Sequence, residues 1–179
     1  MISKESVVKR LIDLNLTIST MESLTGGLVS QVITSFPGSS KTYKGSIISY
    51  SNEIKEQFGI QKSTIEKFGV VSSEVSKEMA ISICNLLNTD VGISFTGNAG
   101  PDVLEGKEVG LVYSSIRIKN HVYSYRCQFT GNRNSIRMQC CNFAFTALDG
   151  LLTRTYGPAK EVEKILKKEK KKKSKKEKN

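Results

Sequence analysis

The sequence has 179 residues, 27 Lys and Arg against 17 Asp and Glu, a formal net charge of +10, and 38% hydrophobic residues. That is enough chain for one domain with a real core, and no apolar run approaches the roughly 20 residues of a membrane span. The positive charge is concentrated: residues 160–179 hold 11 Lys and 4 Glu, which reads as a disordered, solvated tail (159–179) behind a folded domain (1–158) rather than as a nucleic-acid groove.

In chain order, residues 4–14 place Val7, Val8, Leu11 and Ile12 on one helical face behind Ser3. Residues 16–22 alternate as a strand, and Ser23 or Thr25 then caps a helix that runs to about Phe36 and stops at Pro37-Gly38. Tyr43 to Tyr50 is β-prone and is expected to be a central strand. Ser51 or Asn52 caps a short helix to about Phe58, and a second covers about 62–67. Ser72 or Ser73 caps a longer helix over about 73–88, and Asp90 to Thr96 reads as another strand. A loop from Gly97 through Gly106 leads into an antiparallel hairpin, Val109–Ile118 and Val122–Phe129. The last helix begins at Gly131-Asn132 and ends near Arg154. Helix and strand alternate and a hairpin intervenes, so the expected fold is α/β: a three-layer α/β/α sandwich on a mixed, mostly parallel sheet of about five strands.

The four cysteines have no C-x-x-C spacing, Cys140 and Cys141 are adjacent, and reduced core thiols are expected. Met1-Ile2-Ser3-Lys4-Glu5 lacks the regions of a signal peptide, so a cytoplasmic location is the default. The chain has one histidine, His121, in what reads as a hairpin turn. A His-based metal site is therefore excluded, and a Ser-His-Asp triad would have to use a turn residue.

Ligands bind at the carboxyl ends of strands in such sheets. Three polar groups follow strands: Ser23, Tyr50-Ser51-Asn52, and Thr96-Gly97-Asn98. A serine nucleophile needs a base. Lys55 is the candidate, because a helix N-terminus and partial burial would both lower its pKa; a solvated surface lysine is the commoner outcome of such spacing. Tyr50 could relay a proton or orient the amine. Glu22 is open between a backbone N–H partner, a partner for Lys55 and a surface carboxylate. Thr25-Gly26-Gly27 and Gly97-Asn98-Ala99-Gly100 could cradle phosphate or an oxyanion, although neither fits a nucleotide-binding pattern. Arg133 and Arg137 could clamp a phosphate or lie on the surface.

Glu22-Ser23-Leu24-Thr25-Gly26-Gly27 resembles the E-S-x-T-G-G signature of the CinA C-terminal domain family, which includes nicotinamide-nucleotide amidohydrolases and competence/damage-inducible proteins. Further blocks agree in order: Pro37-Gly38-Ser39-Ser40, Ile48 to Lys55, Gly69-Val70-Val71-Ser72, Thr96 to Pro101, and Phe129 to Arg137. The resemblance covers about residues 3–154. It implies hydrolysis of the carboxamide of nicotinamide mononucleotide to nicotinate mononucleotide and ammonia, in pyridine nucleotide salvage. Ser23, Tyr50 and Lys55 match the family's functional serine, tyrosine and lysine. Thr25, Gly26, Gly27, Asn52, Thr96, Gly97, Arg133 and Arg137 are the expected substrate contacts. No cofactor, metal, membrane or specific nucleic-acid partner is expected, and a homo-oligomer is what the family suggests. The loop departs from the family pattern: Asn98 replaces an isoleucine, and residues 103–110 replace a glycine pair and Lys-Pro-Val-Gly. That departure keeps open an alternative, a catalytically drifted nucleotide- or protein-binding member of the same fold. Longer members carry an added N-terminal domain, whose chemistry is not expected from these residues.

Overall fold

The computed structural model describes residues 3–159, so the expected Lys-rich tail lies outside the described residues. Twelve elements follow in order: α1 (Lys4–Asp13), β1 (Ile18–Glu22), α2 (Leu28–Thr34), a 3-10 turn (Ser39–Lys41), β2 (Tyr43–Ile48), α3 (Asn52–Gln57), α4 (Lys62–Phe68), α5 (Ser73–Leu87), β3 (Val91–Gly97), β4 (Leu111–Ile118), β5 (His121–Gln128) and α6 (Arg133–Tyr156). Helix starts follow their hydroxyl and amide caps at three places. Ser51 accepts from the Ile54 N–H, Ser72 from Val75, and Asn132 from Ser135.

The sheet runs β2-β1-β3-β4-β5. β1 pairs parallel with β2 and β3, and β4 pairs antiparallel with β3 and β5. The sheet has the expected five strands but is not mostly parallel, because the β4–β5 hairpin supplies as many antiparallel pairings as the crossovers supply parallel ones. The expectation that Tyr43–Tyr50 forms a central strand is also corrected. β2 lies at an edge, Ile48 is half exposed, and the strand stops two residues short of Tyr50. β-propensity registers a residue's fit to a pleated surface and does not distinguish an edge from the middle.

Two apolar clusters divide the strand residues between them. Ile18, Val91, Ile93, Phe95, Val112, Ile116 and Ile118 pack with α1, α2 and α6. Met21 and Leu111 pack with α4 and α5. Strand side chains alternate in direction, so these sets point to opposite faces. α1 is tied to α6 by Arg10, which is 4% exposed and bonds Asp149 at 2.9 Å, the Thr153 hydroxyl and the Gly157 carbonyl. The cysteines are free thiols, three of them buried, as expected. Among the described residues no helix is long and apolar enough to cross a membrane.

β1, β2 and β3 point the same way, so their carboxyl ends share one edge. The chain leaves β1 for β2 on one side and returns to β3 on the other. The crevice beyond β1 and β3 is thus the switch point at which ligands bind in such sheets.

Candidate active site

Ser23 is the first residue beyond β1. Its N–H donates to the Phe95 carbonyl (3.1 Å) and its carbonyl accepts from the Gly26 N–H (3.0 Å). It therefore sits in a tight turn clasped to β3. The Glu22 carbonyl accepts from the Ser49 N–H (2.9 Å), which holds the end of β2 beside it.

Glu22 resolves as a backbone partner. It is fully buried, and its carboxylate accepts from the N–H groups of Gly27 (3.0 Å), Val29 (3.2 Å) and Ser30 (2.9 Å) and from the hydroxyls of Ser30 and Thr20. Neither Ser23 nor Thr25 caps α2. The residue before the helix is Gly27, at φ 92°, a left-handed conformation suited to glycine, and the carboxylate fixes the free donors from outside. The Gly26 and Gly27 N–H groups are thus already engaged, by Ser23 and Glu22. Among the described residues the Leu24 and Thr25 N–H groups have no acceptor.

Lys55 is 1% exposed, so the common surface-lysine outcome does not apply. Its Nζ lies 3.2 Å from Ser23 Oγ, 2.7 Å from the Ser49 carbonyl and 3.4 Å from the Tyr50 carbonyl. Burial pushes its pKa down to about 8, against a smaller opposite pull from Glu53. Burial, one of the two causes expected, is the main one. The geometry selects a direction for the lone pair. Two backbone carbonyls can only accept, so they claim two N–H groups of the neutral amine. The position left over faces Ser23 Oγ.

Tyr50 is 58% exposed and does not reach the amine with its hydroxyl. Its OH accepts from Arg133 (2.5 Å), whose other terminal nitrogen donates to the Gly100 carbonyl (2.7 Å). The cavity above Ser23 measures about 140 Å3 and is walled by Ser23, Leu24, Tyr50, Gly97, Asn98, Ala99, Leu104 and Arg133.

Of the expected substrate contacts, Gly97 and Arg133 stand in that wall. The others lie around it. Thr25 is fully buried, with its carbonyl bonded to Arg137 (2.9 Å) and its hydroxyl unpartnered among the described residues. Gly26 lies under the Arg137 guanidinium, and Gly27 against Ile48. Thr96 is buried and donates to the Val70 carbonyl (2.7 Å). Asn52 is exposed at the start of α3. Arg133 and Arg137 hold different carbonyls and do not form one clamp. The Gly97–Gly100 turn is closed on itself as well. The Asn98 N–H bonds Leu111, and its side chain accepts from Gly100 and donates to the Lys107 carbonyl. His121 is exposed at the start of β5, stacked near Tyr123, as the turn reading expects.

Leu24 and Leu104 also stand in the wall. Leu24 directly follows Ser23, and adjacency alone points to it. Leu104 carries no such signal.

The CinA C-terminal domain model matches residues 2–152. A relative from Clostridium beijerinckii is 41% identical over 151 residues, which is 83% of this chain and 36% of the relative. A CinA-like protein from Petrotoga mobilis is 40% identical over 142 residues, 78% of this chain and 35% of the relative. The chain thus spans about a third of the length of the curated relatives it matches. The crystal structure of a competence-damaged protein (CinA) superfamily protein from Enterobacter cloacae aligns with TM-score 0.79 and 28% identity, over 83% of this chain and 91% of that one. That of the competence/damage inducible protein CihA from Agrobacterium tumefaciens aligns with TM-score 0.77 and 29% identity, over 83% and 94%. With its E-S-x-T-G-G turn at the switch point and a family match over almost all of its described residues, this chain belongs to the CinA C-terminal domain family.

Proposed function

We propose that this domain, which we read as a three-layer α/β/α sandwich, hydrolyses the carboxamide of nicotinamide mononucleotide to nicotinate mononucleotide and ammonia. The observation that carries the reading is the buried Lys55 amine, 3.2 Å from Ser23 Oγ, with its pKa lowered to about 8. A lysine so placed is a base poised near neutral pH, and a serine beside it is an activated nucleophile.

The steps follow from the geometry. Neutral Lys55 takes the proton of Ser23 Oγ as the oxygen bonds the amide carbon. The carbonyl electrons move to oxygen, and the Leu24 and Thr25 N–H groups are the donors free to meet that charge. The Lys55 ammonium returns its proton to the amide nitrogen, the C–N bond breaks, and ammonia leaves an ester on Ser23. Water, activated by the same amine, cleaves the ester and restores the serine. Tyr50 and Arg133 act at the cavity mouth, where they orient substrate rather than move the proton. In this reading the protein works in cytoplasmic cofactor salvage as a homo-oligomer.

Ammonia release from nicotinamide mononucleotide by the purified chain tests this. Release by the native chain and loss in Ser23→Ala and Lys55→Ala support it. No release from a folded native chain rejects it and favours the drifted binding protein. Deletion of residues 160–179 is expected to leave the rate unchanged.

A further inference from the structure

Four of the eight residues that wall the Ser23 cavity are buried. Ser23, Leu24, Asn98 and Ala99 are each at most 9% exposed and belong to the packed strand ends. Leu104 differs: it is 46% exposed and comes from the 13-residue connection, 98–110, between β3 and β4. Adjacent antiparallel strands need only a few residues to connect. The extra length is held down by specific bonds.

Glu105 Oε1 accepts from the Val70 N–H (2.7 Å), and Oε2 accepts from the Val71 N–H (3.2 Å) and Lys107 Nζ (2.9 Å). Lys107 Nζ also donates to the Val71 carbonyl (2.7 Å). Asn98 holds the Lys107 carbonyl from the strand side (3.1 Å), and Leu104 and Lys107 form a short antiparallel bridge. Glu105 takes a left-handed conformation, φ 53°, which non-glycine residues adopt at a cost. Gly69 makes the close approach possible, since a Cβ there would stand 2.5 Å from Glu105 Oε2 and 2.7 Å from Lys107 Nζ. Among the described residues, this carboxylate and ammonium have no contact with Ser23 or Lys55. What they hold in place is Leu104, in the wall of the cavity above Ser23.

We propose that the 103–107 turn is the specificity wall of this site: Leu104 packs against the acyl group of the amide, selecting a single flat ring, and Glu105 is the positioning residue that holds it there. The proposal rests on the reading of Ser23 as nucleophile. A closed apolar cavity of about 150 Å3 takes one benzene-sized ring, and this open, partly polar cavity of about 140 Å3 is of the same one-ring scale. The bulk of a mononucleotide therefore lies outside, at the mouth. One apolar contact of this kind is worth a tenfold or larger discrimination.

The test uses two small electrophiles that need only Ser23 and its base: methanesulfonyl fluoride and benzenesulfonyl fluoride. In each, Ser23 Oγ bonds sulfur, fluoride leaves, and Lys55 takes the proton. Labelling is followed by intact mass, with Ser23→Ala as the blank. Leu104→Ala and Glu105→Ala are expected to slow the aryl reagent about tenfold and the methyl reagent less than about twofold. Leu104→Met should restore the aryl rate. Equal slowing of both reagents, or no change in either, overturns the proposal. Selective loss of aryl labelling in a chain that releases no ammonia would sink the nicotinamide reading and leave the wall. Ammonia release with no aryl selectivity would do the reverse.

Discussion

Glu22 and Glu105 perform the same local task in opposite surroundings. Each carboxylate gathers backbone N–H groups that a helix or turn leaves unpaired. Glu22 is fully buried and takes three N–H groups and the Ser30 hydroxyl at the start of α2, with the Thr20 hydroxyl of β1. Glu105 lies at the rim and takes two N–H groups and an ammonium from residues 70, 71 and 107. The first fixes the backbone around Ser23, inside the core. The second fixes one apolar wall, with water beside it. Their difference separates what the fold needs from what selectivity needs, because an unpaired group costs far more where water cannot replace the lost partner.

That contrast predicts graded effects. Glu22→Ala strands three N–H groups near the nucleophile, at about 1–3 kcal/mol each where buried, and should lower stability by about 3 kcal/mol or more. Thermal unfolding checks this, and a shift no larger than that of Glu105→Ala would place the two carboxylates on a par. Glu105→Ala should cost less, about 2 kcal/mol, because it strands two N–H groups rather than three, at buried Val70 and Val71, and releases an ammonium that reaches solvent. Burial alone would raise the Glu105 pKa, but the Val70 N–H, Lys107 and the Val71 N–H hold it below the usual carboxylate range. A group depressed on folding stabilises above its unfolded pKa and loses that contribution as pH falls through its folded pKa. The stability gap between native chain and Glu105→Gln should therefore be full at neutral pH and close in acid, as melting across that range would record. The smallest effect belongs to His121→Ala, which should leave ammonia release and melting unchanged, since that exposed ring touches neither carboxylate nor cavity.

Ser23 and Lys55 are legible in the sequence and the 103–107 turn is not, for one physical reason. Ser23 and Lys55 sit at strand–helix junctions, where local pattern fixes position, and parallel strands bring such junctions to one edge. With a single histidine in a turn, a lysine or a carboxylate is left as candidate base, and Lys55 is the candidate the junction favours. Glu22 was visible as a candidate because it adjoins Ser23, but its partners depend on how α2 turns back at Gly26 and Gly27. Arg10 reads as polar surface on α1; only α6, 139 residues further on, gives it Asp149. Glu105 and Lys107 look like solvated loop charges until the 69–71 link is folded beside them. Strand placement failed for a related reason: β2 has central-strand composition, and which edge remains uncovered is a property of the whole sheet.

If Lys55 is the base for Ser23, the pH dependence of ammonia release from nicotinamide mononucleotide must follow the protonation of its amine. Burial holds the Lys55 pKa at about 8, and only the neutral amine can accept the serine proton. kcat/KM should then rise about tenfold per pH unit below that value and level off above it, and any residual rate in Lys55→Ala should show no such limb. A profile flat from about pH 6 to about pH 9 in the native chain, or an unaltered limb in Lys55→Ala, would contradict it.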